Sequence, residues 1–123
     1  MRFCFVIILT VICFSQLYPK DKKMKIEFLG MVDGCPNTPK MWASLQKAMR
    51  ELKLNIPIDS LDLNELSKKQ DVRVGYGAPT ILVNGKDLFG APLPTTFDPA
   101  CRYYRGGVPG TKEIVAKLKL LKP

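Results

Sequence analysis

The chain has 123 residues, with 19 Lys and Arg against 11 Asp and Glu (net charge +8), four cysteines and no histidine. That length bounds it to one domain with a modest core. The missing histidine excludes Cys-His and Ser-His nucleophile pairs and histidine-ligated zinc, so any chemistry must run on thiols, carboxylates, tyrosines and backbone dipoles.

Residues 1–23 contain Arg2, Lys20, Lys22, Lys23 and Asp21, so the remainder carries +5. Those charges are scattered and no basic stripe is interleaved with aromatics, so no nucleic-acid partner is expected. The leader begins with Arg2 and continues as an apolar run of 12 residues from Phe3 to Phe14. Such a run is too short to span a bilayer and suits a signal-peptide core, which predicts an exported protein. A second reading stands beside it. Met24-Lys25-Ile26-Glu27-Phe28 opens a strand directly, and Lys20-Asp21 fits a ribosome-binding sequence, so residues 1–23 are equally read as a mis-assigned start. The protein is then cytoplasmic, and a membrane partner enters only through the N-terminal segment where it is retained. Either way the domain is residues 24–123.

Ile26 to Leu29, with Met31, reads as a buried first strand. The turn Gly34-Cys35-Pro36-Asn37-Thr38-Pro39 follows. From near Lys40 an amphipathic helix places Met41, Trp42, Leu45, Ala48, Met49 and Leu52 on one face, with Trp42 as core packing. Leu54 to Asp59 is strand-like, with Pro57 marking an edge or a bend. Leu63-Asn64-Glu65-Leu66 opens a short polar helix that fades near Val72, and Gly75-Tyr76-Gly77-Ala78-Pro79 breaks the chain. Thr80 to Val83 is a strand, and Asn84-Gly85 signals a hairpin to its partner Lys86–Phe89. A long loop over 90–109, rich in Pro and Gly, carries Cys101; loops of that length are usually functional or disordered. A helix over Thr111–Leu121, with Ile114, Val115, Leu118 and Leu121 on one face, ends the domain.

Cys35 is the candidate chemical centre. A cysteine between a buried strand and a helix mouth meets unpaired helix N–H groups and the positive end of the helix dipole, which lower a thiol pKa to roughly 3.5–7.5. Two alternatives stay open. Cysteine also serves as a small apolar filler, and Thr38-Pro39 is itself a helix start, which would set Cys35 one turn outside the helix. The cysteines divide into Cys4 and Cys13 in the leader, and Cys35 and Cys101 in the domain. Two domain cysteines are too few for a disulfide scaffold or a four-thiolate zinc site, but enough for one bridge or one redox pair.

The element order predicts an α/β fold of βαβαββα type, a four-stranded mixed sheet flanked by helices, with the early strand-helix-strand unit parallel and the hairpin antiparallel. With Cys35-Pro36 after the first strand and Gly77-Ala78-Pro79-Thr80-Ile81 before the third, the chain resembles the thioredoxin-like superfamily, and the second motif is similar to that family's cis-proline loop. The family's Cys-x-x-Cys is replaced here, because Thr38 fills the fourth position. Thr38 can hydrogen-bond a thiolate or cap the helix, but it cannot resolve a mixed disulfide. In that arrangement the first strand ends, the third begins and the fourth ends at one rim, so the loop carrying Cys101 emerges beside Cys35. With Gly34-Cys35-Pro36, Pro79-Thr80-Ile81, the Asn84-Gly85 hairpin and Cys101-Arg102-Tyr103-Tyr104-Arg105, residues 24–121 resemble more closely the DF family of (seleno)proteins.

That resemblance implies a thiol–disulfide redox protein. Cys35 attacks as the nucleophile, Cys101 resolves, Pro79 shapes a substrate groove, and Arg102 or Arg105 lowers a thiol pKa by charge. Its partner is a protein or small-molecule thiol or disulfide, and no cofactor is expected. A weaker resemblance to organomercurial (alkylmercury) lyase-like proteins raises soft-metal capture by Cys35 and Cys101. The lyase chemistry would need Asp33 or Asp98 to replace an acid where Thr38 stands. A third reading is a non-catalytic binding module in which the two cysteines are at most a staple.

Overall fold

The computed structural model describes residues 24–121. The expected leader, with Cys4 and Cys13, lies outside the described residues. The elements follow in the order β1 (Ile26–Gly30), α1 (Asn37–Glu51), β2 (Ile58–Asp62), α2 (Leu63–Lys68), a 3₁₀ turn (Val72–Tyr76), β3 (Thr80–Val83), β4 (Lys86–Asp87) and α3 (Thr111–Leu121). The four strands form one mixed sheet in the order β2-β1-β3-β4. β1 runs parallel to β2 and antiparallel to β3, and β3 is antiparallel to β4. Among the described residues, no helix is long and apolar enough to cross a membrane.

Helices cover both faces, which is why every residue of β1 is buried and the strand reads as a nearly unbroken apolar run. Side chains alternate across the sheet. Ile26 and Phe28 of β1 and Ile81 and Val83 of β3 meet Met41, Leu45, Ala48 and Met49 of α1 and Ile114 and Leu118 of α3. Leu29 and Leu82 point the other way and meet Leu63 and Leu66 of α2 and Val74 and Tyr76 of the 3₁₀ turn. Trp42 stacks tilted on Phe28, ring centroids 5.0 Å apart, so it is packing as expected.

Besides the start of α1, three boundaries differ from the sequence expectation, each for a local reason. The second strand is Ile58–Asp62 rather than Leu54–Asp59. Lys53 takes a left-handed backbone (φ 53°) that ends α1, and the Leu54 N–H donates back to the Met49 carbonyl. Leu54 and Ile56 are thus spent packing under the helix, and Pro57, lacking an N–H, marks the entry to the strand. The second helix stops at Lys68, and the 3₁₀ turn is a separate element because Asp71 caps it by accepting the Arg73 N–H. β4 is only Lys86–Asp87, because the chain turns at once through the Gly90 N–H to Asp87 carbonyl bond.

One buried group had no sequence signal. Glu27 sits inside the sheet, and its carboxylate pairs with the Arg73 guanidinium, 46 residues away. Arg73 also hydrogen-bonds Asp71, which holds the Asp71 carboxyl below the usual carboxylate range. A buried carboxylate without such a partner would be severely destabilising.

Candidate functional site: a disulfide at one rim of the sheet

The turn after β1 carries Cys35 directly before α1, whose N-cap position is Pro36. The helix therefore starts at Asn37, earlier than expected, and Pro39 sits in its first turn, where a missing N–H costs nothing. The Thr38 side chain neither caps the helix nor hydrogen-bonds a sulfur. Its hydroxyl donates to the Met31 carbonyl and accepts from the Met31 N–H, both at 3.3 Å, which closes the turn back onto the end of β1.

Cys35 and Cys101, 66 residues apart in sequence, are joined by a disulfide with a Cα–Cα distance of 5.6 Å. The two ends of the bridge have unlike surroundings. Cys35 is 1% exposed, within the cluster of Leu29, Leu63, Leu66, Val74, Tyr76 and Ala78, whereas Cys101 is exposed. The Cys101 Sγ lies 3.2 Å from the Gly34 carbonyl oxygen. A disulfide sulfur has no proton, so this is a close contact that becomes a thiol hydrogen bond only on reduction.

The loop is anchored on both sides of Cys101. The Ala78 N–H donates to the Ala100 carbonyl (3.0 Å), and the Arg102 N–H donates to the Ala78 carbonyl (2.8 Å), an isolated parallel bridge. Gly77 makes room for it. Its φ is +80°, and a Cβ there would stand 3.1 Å from the Ala100 carbonyl oxygen and 3.0 Å from Arg102 Cβ. Upstream, Pro94 and Thr96 rest on Gly75, where an added Cβ would come within 2.3 Å of Pro94 Cβ.

Arg102 then plugs into the sheet. Its guanidinium donates to both Asp87 oxygens, at 2.8 and 2.9 Å, and to Thr80 Oγ1 at 3.1 Å, and it lies 4.4 Å from the centroid of the Tyr104 ring. The Asp87 carboxylate is fully enclosed and also accepts the Ala91 N–H. The expectation that Arg102 lowers a thiol pKa by its charge gives way to a structural role, because Asp87 neutralises that charge. Arg105 is exposed, as are Asp33 and Asp98, and Tyr103 is 86% exposed.

The Ala78–Pro79 peptide bond is cis, and the Pro79 ring is fully buried. The loop covers Pro79, because the segment around Cys101 pairs with Ala78 beside it. The Tyr104 hydroxyl donates to the Pro79 carbonyl at 2.6 Å, and burial pushes the phenol up to about 12. An unfolded tyrosine titrates near pH 10. The stability held in this protonated phenol is therefore present below about pH 10 and is lost as pH rises towards about 12. Tyr104→Phe should destabilise by about 1–3 kcal/mol at neutral pH, by orphaning a buried carbonyl. It should also flatten the alkaline limb of a stability–pH curve; an unchanged limb would assign that limb to other groups.

On the α1 side of β1, the turn borders a groove of about 350 Å³ lined by Phe28, Val32, Pro39, Trp42, Leu61 and Asp62. Nothing in the sequence marked it, because its walls come from three separate elements. Among the described residues, no cluster of three or more metal-ligating side chains exists, so a soft ion would have only the reduced Cys35 and Cys101. No protein-family model, curated protein or solved structure matches the chain.

Proposed function

We propose that the chain is a thiol–disulfide redox protein of the thioredoxin-like kind, closest to the DF family, cycling Cys35 and Cys101 between disulfide and dithiol. The observation that carries the reading is the bridge itself. It joins one cysteine at a strand-to-helix turn to another on a loop seated across a cis-proline, at one rim of the sheet. A pair in which one sulfur faces solvent is open to exchange with an external thiol or disulfide. Its partner class is a protein or small molecule carrying a thiol or disulfide.

Two measurements together test it: equilibration with glutathione buffers of graded poise, and turnover of a disulfide substrate by the reduced protein. The expected result is a two-electron transition within the range of biological dithiols, with turnover abolished by Cys35→Ser and by Cys101→Ser. A bridge that resists reduction until the domain unfolds, with no turnover, would instead make it a structural staple in a binding module. Stoichiometric retention of Hg(II) by the reduced protein without turnover would favour the soft-metal reading.

A further inference from the structure

We infer that Cys101, not Cys35, is the sulfur that exchanges with the outside partner, and that Cys35 is the internal leaving and resolving thiol. This rests on the redox reading above and reverses the assignment that the turn sequence suggests.

A thiolate attacks a disulfide sulfur in line with the bond it breaks, so the sulfur that can be approached decides which bond forms. Cys35 is closed off by α2, the 3₁₀ turn and the β1 side chain Leu29, at 1% exposure. Cys101 stands on the exposed segment between Ala100 and Tyr103. An incoming thiolate RS⁻ therefore bonds to the Cys101 sulfur and expels Cys35 as thiolate, giving Cys101–S–S–R.

The leaving side suits departure. Cys35 stands at the start of α1, at the positive end of its dipole, and the first turn contains no acidic residue. A second RS⁻ then attacks the R sulfur, releasing R–S–S–R and the Cys101 thiolate, which takes a proton from water. There the 3.2 Å approach to the Gly34 carbonyl becomes a thiol hydrogen bond.

In the opposite direction the same polarity holds. The Cys101 thiolate attacks a substrate disulfide R–S–S–R′ and releases R′S⁻. The Cys35 thiolate then attacks the Cys101 sulfur, releases RS⁻ and restores the bridge. Two electrons pass from the dithiol to the substrate.

The decisive experiment mixes the oxidised full chain with reduced glutathione, stops the reaction in acid at short times and blocks free thiols with N-ethylmaleimide. Peptide mass mapping then locates the adduct, with the Cys4 and Cys13 peptides resolved separately. Glutathione on Cys101 with N-ethylmaleimide on Cys35 is the expected result. Oxidised glutathione should load Cys101 in Cys35→Ser at least about tenfold faster than it loads Cys35 in Cys101→Ser. The wild-type trap needs no substitution, so a loop loosened in either variant does not affect it. Glutathione found on Cys35, with exchange intact, overturns the polarity and leaves the redox reading standing. The absence of any adduct, with no dithiol formed, removes both.

Discussion

Reducing the Cys35–Cys101 bridge should lower the unfolding free energy by about 4 kcal/mol, the chain-entropy value for a loop of this length. The bridge encloses all of α1, β2, α2, β3 and β4, so its loss enlarges the unfolded ensemble without removing any element from the folded one. The two single substitutions should not be equal. Cys101 is exposed, so Cys101→Ala loses little beyond the bridge. Cys35→Ser also places a hydroxyl in an apolar cluster and should cost about 1–3 kcal/mol more. Denaturant midpoints with and without a dithiol reductant measure both. A midpoint indifferent to reduction would show that the loop's other anchors alone hold the chain.

Those anchors give the second large effect. Asp87→Ala should destabilise by about 3–5 kcal/mol, the usual result of leaving one member of a buried pair alone. The Asp87 carboxylate is fully enclosed and the Arg102 side chain is 14% exposed, so the orphaned guanidinium would have little water to turn to. Arg102→Ala should cost a similar amount, because it strands the carboxylate. The double replacement Asp87→Leu with Arg102→Met should recover part of the loss, since a matched apolar pair avoids the desolvation of both charges. Losses below about 1 kcal/mol in both single variants would show that water reaches the pair far more freely than its burial indicates.

How much of the fold and the site was legible in the sequence depended on how local each cause is. Thr80–Val83, the Asn84-Gly85 turn, α1 and α3 follow from periodicity and turn chemistry within a few residues, and the structure has them. The neighbourhood of Cys35 and Cys101 followed from the strand directions that the thioredoxin-like resemblance implies. The unequal exposure of the two cysteines did not follow, because it depends on α2 and the 3₁₀ turn folding over Cys35. Glu27 and Asp87 look in the sequence like ordinary surface charges. Their burial is explained only by Arg73 and Arg102, supplied 46 and 15 residues away. In this oxidised form the Thr38 hydroxyl bonds the backbone of Met31, just past β1, rather than capping the helix.

The pairing of Ala78 with the chain on either side of Cys101 governs how the two sulfurs behave once they part. Two backbone hydrogen bonds, the Arg102 plug and the Tyr104 hydroxyl hold that segment in place without help from the covalent link. The opened pair therefore keeps a high effective molarity towards each other, and re-closure is an intramolecular event whose ordering cost has already been met. Such a couple favours its closed form, so under the redox reading proposed above its dithiol gives up electrons readily and its disulfide resists reduction.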